Sequence, residues 1–352
     1  MSISDEVKRL QKKWDSAAGW PKRLEWLRLT NVRGWRGQRI NFNFPIVAIV
    51  GENGSGKSTI LQSAAAVYRS PAGTKNRFPS DFFPDTAWER QRGVELEFSV
   101  REGDRTTTGS VRKRTERWLG NPDRRERQVF YFDLSRLQPI ATRVGYARIA
   151  RAGAHESNAT SFNEESVGRL TAILGRLYSS AKKATSSIDK TREVTVLTRD
   201  GKDYSGFHQG AGEMTIAELV SQEVPKTSLV LIDEVETSLH PRAQRRLVRD
   251  LAEVSRLNDI QFILTTHSPY VLDALPSHAR LYISNNSLSK EVLTGVTSHY
   301  AMSKMDDASH FNVDVYVEDK AAKAIIDEVL ALDLPNEYAY NIGKPLRTFV
   351  RG

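Results

Sequence analysis

The chain has 352 residues, a formal net charge of +8 and an apolar share of 39%, enough to bury the core of one large domain or two ordinary ones. No stretch approaches the roughly 18 apolar residues of a membrane span, and the charged, amphipathic start, Met1 to Lys13, lacks the apolar centre of a signal peptide. A cytoplasmic protein is expected. The absence of cysteine excludes disulfides and thiolate metal sites, and the seven histidines show no paired spacing for zinc, so any metal should arrive with a ligand.

After an N-terminal helix, Arg23 to Leu29 and Arg39 to Phe44 alternate polar and apolar residues as half-buried strands do. The next apolar run, Ile46 to Val50, ends in Gly51-Glu52-Asn53-Gly54-Ser55-Gly56-Lys57-Ser58-Thr59, which fills the pattern G-x-x-x-x-G-K-[ST] completely. Glycines at these positions let successive backbone N–H groups face a phosphate chain, and a helix from Lys57 to about Tyr68 adds its positive end. The pattern implies a nucleoside triphosphate, with Lys57 at the β- and γ-phosphates and Ser58 on Mg²⁺. Trp35, in the turn between the first two strands, either packs beside the adenine or ribose or caps the core.

Ser70 to Gln91 reads as a long loop. Beyond it, Arg112-Lys113-Arg114, Arg117, Arg124-Arg125 and Arg127 fall between two strand-like runs, Val94 to Val100 and Gln128 to Asp133, giving a basic β-hairpin that is either a solvated surface or a phosphate-tracking one. Glu165 to Ser180 is an amphipathic helix with Val167, Leu170, Ile173, Leu174 and Leu177 on one face. Gln209-Gly210-Ala211-Gly212-Glu213 precedes a helix-like run, Met214 to Val220, and a glycine-rich helix start can offer bare N–H groups to a phosphate. Two further apolar strands end in polar residues: Ser228 to Ile232 in Asp233-Glu234, and Gln261 to Leu264 in Thr265-Thr266-His267-Ser268. Strands ending this way, with helices between, predict a mostly parallel sheet with its chemistry at the carboxyl ends. Asp233 is suited to hold Mg²⁺, Glu234 to polarise an attacking water, and His267 to hydrogen-bond a γ-phosphate.

These motifs in this order resemble the ATP-binding-cassette (ABC) class of P-loop ATPase. More narrowly, D-E-V-E-T-S-L-H-P from Asp233 and F-I-L-T-T-H-S-P from Phe262 resemble the RecF-like and overcoming-lysogenization-defect (OLD) ATPases, a group that includes many anti-phage defence proteins. The resemblance covers roughly residues 22 to 310. It implies an α/β fold with a mostly parallel sheet, an antiparallel β-subdomain and a helical subdomain. It also implies ATP and Mg²⁺ as ligands, and two heads that sandwich two ATP molecules. Gly51, Glu52, Asn53, Gly54, Ser55, Gly56, Lys57, Ser58 and Thr59 would then form the phosphate loop. Ser58 and Asp233 would be the magnesium residues, Glu234 the water-polarising residue and His267 the switch histidine. Gly210, Ala211, Gly212 and Glu213 would be the signature acting on the partner's nucleotide, and Ser238 to His240 the inter-subunit loop. For the Mg²⁺-sensing glutamine, Gln138 is favoured over Gln91.

Two departures matter. The signature usually carries a serine where Gly210 stands, which implies weaker closure and slow turnover. Near the C-terminus, Val313 to Glu318 and a helix from Lys320 to Ala331 look like the opening of a Toprim nuclease domain, but Asp319 replaces the usual glycine and no D-x-D follows. A metal nuclease needs several converging carboxylates, and fewer residues follow Glu318 than the ~50 of even a small domain. The expected organisation is an ATPase domain over 1–310, with the basic hairpin region at 94–133 and a helical and signature region at 157–227. A partial Toprim-like or docking segment follows over 311–352, without nuclease activity of its own. The expected function is an ATPase that dimerises on ATP and controls a separate effector in anti-phage defence. The alternatives are a RecF-like repair ATPase acting on DNA and, less well matched, the nucleotide-binding subunit of a membrane transporter.

Overall fold

Ile46–Gly51 is buried at every position, and an unbroken apolar run of this kind belongs to a strand covered on both faces. It lies inside a six-stranded sheet. The structure, a computed structural model, describes residues 4–16, 20–74, 76–150, 154–285, 289–305, 313–333 and 346–350. It contains two compact units, Met1–Gly295 and Val296–Gly352.

The first unit starts with α1 (Asp5–Asp15), capped by the Ser4 hydroxyl, and the antiparallel pair β1 (Lys22–Val32) and β2 (Trp35–Asn41). β3 (Ile46–Gly51) runs through the phosphate loop into α2 (Lys57–Ala66), followed by the short α3 (Pro79–Phe82). β4 (Val94–Glu102), β5 (Arg105–Lys113) and β6 (Trp118–Leu119) complete a five-stranded sheet in the order β2-β1-β4-β5-β6. After β7 (Val129–Phe132), the chain forms β8 (Glu156–Ser161), α4 (Glu164–Leu174), β9 (Ser180–Ser186), β10 (Glu193–Arg199) and β11 (Lys202–Ser205). α5 (Ala211–Val220), β12 (Leu229–Ile232), α6 (Pro241–Asn258), β13 (Gln261–Thr265), α7 (Pro269–Asp273), β14 (Arg280–Asn285) and β15 (Lys290–Thr294) finish the unit.

The central sheet has the order β15-β14-β3-β13-β12-β7. Its five inner and far strands are parallel, and only β15 runs antiparallel, at one edge. The carboxyl ends of the parallel strands therefore share one side, where Gly51, Asp233, His267 and Asp133 emerge. Open α/β sheets bind ligands on that side. Together with the antiparallel β-subdomain and the helices α4 and α5, this is the α/β architecture expected from the sequence, a mostly parallel central sheet with further subdomains.

Two local expectations are corrected. Val94 to Val100 and Gln128 to Asp133 are not two arms of one basic hairpin: β4 pairs with β1 and β5, whereas β7 is the edge strand beside β12. Three of the basic residues are also internal. Arg124 donates to the carbonyls of Ala66, Tyr68, Arg77 and Asn121. Arg127 donates to Gln261 Oε1, the Tyr68 hydroxyl and the carbonyls of Lys22, Thr227 and Ser228. Lys113 pairs with Asp85 at 2.6 Å. Buried cations need such saturation, and these three tie the strands together instead of facing a nucleic acid.

The helix expected over Glu165 to Ser180 ends at Leu174, because Gly175 adopts a left-handed φ of 69° and its N–H closes on the Thr171 carbonyl. Leu170 and Ile173 are buried, but Leu177 lies past the end and is 78% exposed. Residues 157–227 hold, besides α4 and α5, most of a four-stranded antiparallel sheet in the order β11-β10-β9-β8. Segments such as S-A-K-K-A-T-S carry too little apolar alternation to announce it.

The second unit contains α8 (Ser298–Met305) and a βαβ arrangement of β16 (Val313–Val317), α9 (Lys320–Asp333) and β17 (Leu346–Val350), the two strands pairing in parallel. Asp319 accepts a hydrogen bond from the Ala322 N–H at 2.7 Å, so the residue standing where a glycine was expected caps α9. Glu318 is exposed, and most of the positions where further carboxylates were sought lie outside the described residues. Among the described residues no helix is long and apolar enough to cross a membrane.

Candidate nucleotide site at the carboxyl edge of the sheet

The phosphate loop is held from three directions. Lys57, 7% exposed, donates from Nζ to the carbonyls of Gly51 at 2.8 Å and Glu52 at 2.9 Å. Burial pushes its pKa down, while Asp233, Glu234, Glu236 and Glu52 pull it up, so a cation is kept in place by facing carboxylates. Beneath the loop, Gly56 has a φ of 99°, and an added Cβ would come within 2.6 Å of Trp35 Nε1. Only glycine allows both that turn and that approach. Trp35 is fully buried; of the two expectations for it, the structure supports the core position, and its ring is not open to a base.

The third support is Lys290 on β15. Its Nζ donates to the Ser55 carbonyl at 2.8 Å, to Asn285 Oδ1 at 2.9 Å and, at 3.5 Å, to the Gly54 carbonyl. No sequence signal marks Lys290, since it acts on backbone carbonyls from a strand remote in sequence. Replacing Lys290 with methionine should weaken nucleotide binding on the order of tenfold, the scale of one charge-assisted hydrogen bond lost from a loop. Calorimetric titration with ATP checks this, and an unchanged Kd would remove Lys290 from the site.

Asp233, 4% exposed, accepts a hydrogen bond from the Thr265 hydroxyl, and that same hydroxyl accepts from the Glu234 N–H at 2.8 Å. One threonine at the end of β13 thus fixes both carboxylate-bearing residues at the end of β12. Glu234 has a left-handed φ of 46°, a rare conformation for a residue with a side chain. Its carbonyl accepts from Arg136 Nη2 at 2.8 Å and its carboxylate from the Thr237 hydroxyl at 3.2 Å. Glu236 accepts the His267 N–H.

The site keeps polar atoms without partners: Ser55 Oγ, Glu236 Oε2 and His267 Nε2 are buried and make no hydrogen bond. A ligand with both acceptor and donor capacity would satisfy them. Burial, and then the charge of Lys57, lower the His267 pKa from its ordinary 6.5, against Glu236, Glu234 and Asp233. The unfolded chain binds this proton as pH falls below about 6.5 while the native ring resists it, so stability should drop in that direction. A His267→Gln variant should show a shallower fall in urea-unfolding free energy between about pH 7 and pH 5; an unaltered slope would contradict the assignment.

Gln138 is exposed at the end of the turn after β7, and its carbonyl accepts from Arg143 Nε at 3.0 Å. The side chain that turns inward here is Arg136, 5% exposed. Gln91 is buried elsewhere, with its amide on Glu89 at 2.6 Å.

Gly210, Ala211 and Gly212 begin α5, with Gly210 and Ala211 exposed. Glu213 lines the same cleft as Gly210 and Gly212. Its carboxylate accepts from the Tyr178 hydroxyl at 2.7 Å, the Tyr204 hydroxyl at 2.9 Å and the Gly210 N–H at 3.2 Å. Glu213 therefore shapes the helix start. A Cβ on Gly212 would meet the Ser238 carbonyl at 2.7 Å, so this glycine lets α5 rest on the Ser238–His240 loop. Gly210, Gly212, Arg176, Tyr178, Ser238 and His240 line a cleft of ≈ 260 Å³. None of its lining residues belongs to the phosphate loop, and Arg176 had no sequence signal.

A family model described as "AAA domain" matches residues 27–117, and one described as "AAA domain, putative AbiEii toxin, Type IV TA system" matches 216–273. The two matched segments contain the phosphate loop and the Asp233-Glu234 and His267 strand ends respectively. It is similar to the "Retron Vc95 probable ATPase" of Vibrio cholerae serotype O1 biovar El Tor, with 29% identity over 151 residues. That match spans 37% of this chain and 29% of the relative's own length. Among solved structures, the SMC head domain from Thermotoga maritima is similar at 17% identity and a TM-score of 0.46, over 77% of this chain and 98% of that one. The Smc head domain from Pyrococcus furiosus, bound to the C-terminal domain of ScpA, is similar at 12% identity and a TM-score of 0.49, over 80% and 98%.

Proposed function

We propose that this chain hydrolyses ATP slowly, dimerises through ATP and serves as the sensing or scaffolding ATPase of a defence assembly whose effector is a separate protein. The observation that carries the enzymatic part is the convergence of Lys57, Asp233, Glu234 and His267 on one loop at the carboxyl edge of the sheet. Donors of Lys57 and the loop N–H groups bind the phosphates. Glu234 orients a water and takes its proton as the water oxygen bonds to the γ-phosphorus and the bond from that phosphorus to the β,γ-bridging oxygen breaks, so that ADP and phosphate leave. His267, neutral, keeps Nε2 available as an acceptor or, in the other tautomer, a donor. Ser58 and Asp233 suit Mg²⁺, which would neutralise charge on the phosphate oxygens.

Dimerisation is supported by the cleft at the start of α5, whose N–H groups lie away from the chain's own phosphate loop and suit a nucleotide held by a second copy. The defence role rests on likeness to a retron's ATPase and to OLD-type sequence strings, and the βαβ unit is a candidate docking element. Phosphate release from ATP, measured with Mg²⁺ and with excess chelator, tests the enzymatic part. Turnover that requires Mg²⁺ supports it, and none in either condition contradicts it.

A further inference from the structure

Arg136 is a buried guanidinium whose recorded hydrogen bonds all go to main-chain carbonyls. Nη1 donates to Phe132 at 3.3 Å and Asp133 at 2.7 Å, and Nη2 donates to Glu234 at 2.8 Å. The fork thus joins the end of β7 to the second residue after β12. Burial lowers its pKa, offset by Asp233, Glu218, Asp133 and Glu234, so the cation is drawn to four carboxylates and grips the backbone of two of them, Asp133 and Glu234.

The segment carrying Arg136 also rests on α5. The Arg136 carbonyl accepts from Arg143 Nη2 at 2.8 Å, and the same Nη2 lies 3.9 Å from Glu218 on α5. Ile140 packs with Met214 of α5 and Val194 of β10. Arg136 shares a crevice of only ≈ 10 Å³ with Thr215, Ile216 and Leu219 of α5. Close-packed interiors transmit displacement, so a shift of α5 moves the segment that holds Glu234.

We infer that Arg136 is a positioning residue: it links the placement of α5 to the backbone of Glu234, so that the carboxylate is aligned only while segment 134–143 sits against that helix. Arg143 is the second member of the link, and the inference rests on the ATPase reading above. Glu234 is a suitable target because its left-handed backbone needs external support, and Arg136 and Thr265 supply it from opposite ends of the residue.

The test compares Arg136→Lys and Arg143→Ala with wild type in steady-state ATP turnover, ATP binding by calorimetry and thermal unfolding. Lysine keeps the charge and loses the fork. Misplacement by about 1 Å can cost ~10²-fold in rate, so Arg136→Lys should lower kcat on that order and Arg143→Ala about tenfold, with Kd for ATP within about twofold of wild type. Arg143 is partly exposed, so its variant reports even where Arg136→Lys fails to fold. Adding Arg143→Ala to Glu234→Gln should cost nothing more, as for residues acting as one unit. Unchanged kcat in Arg143→Ala, or kcat and ATP affinity lost together, would overturn the link. Absence of Mg²⁺-dependent turnover in wild type would overturn the ATPase reading itself, and the link with it.

Discussion

Glu234→Gln protein is expected to bind ATP with wild-type affinity and to turn it over about 10²- to 10⁴-fold more slowly, the range that a positioned general base contributes. The substitution is nearly isosteric. The backbone of Glu234 is held by Thr265 and Arg136, and neither contact involves the carboxylate. The side chain's one described hydrogen bond, from the Thr237 hydroxyl, can be accepted by an amide oxygen as well. What is removed is the capacity to take a proton, together with one negative charge beside Lys57. A variant that keeps near wild-type turnover would show that the carboxylate performs no chemistry.

Lys57→Ala is expected to have the second large effect, this time on binding. Its ammonium is buried, bonds two loop carbonyls and faces Asp233, Glu234, Glu236 and Glu52. Removing one partner from a buried, hydrogen-bonded charge contact costs ~2–5 kcal/mol, equivalent to roughly 30- to 4,000-fold in Kd. The carboxylates left behind would also lose their compensating cation, so ATP, itself anionic, should meet a repulsive site. Calorimetric or fluorescence titration with ATP reads the difference, and a Kd within a few-fold of wild type would contradict the placement of Lys57 at the phosphates.

Together the two variants separate binding from chemistry, and the sequence shows why both residues were legible. Phosphate binding requires bare N–H groups beside a lysine, and water activation requires a carboxylate at a strand end. Each requirement fixes residue types at short spacing, as in Gly51 to Thr59 and in Asp233-Glu234. The buried parallel strands were legible for a similar reason, since Ile46 to Val50, Leu229 to Ile232 and Phe262 to Leu264 have no polar face to alternate with.

What the sequence concealed depends on partners distant along the chain. β7 joins the central sheet instead of the antiparallel one through pairing with β12, a choice no local pattern in Q-V-F-Y-F-D records. Arg124, Arg127, Arg136 and Lys290 act on main-chain carbonyls, which every residue has, so their types alone do not distinguish them from solvated surface charges. Trp35 and Glu213 were visible as candidates, but the contacts that hold them were not. Trp35 sits under the loop because Gly56 leaves it room, and Glu213 turns inward because Tyr178 and Tyr204 hold it there.

The mass of Glu234→Gln protein, measured by size-exclusion light scattering with and without Mg-ATP, tests the proposed ATP-bridged pair most directly. The nucleotide should persist in this variant, so the expected result is a species of twice the chain mass that appears only with Mg-ATP. A mass of one chain in both conditions, at ATP concentrations shown by calorimetry to saturate the site, would contradict the dimeric reading.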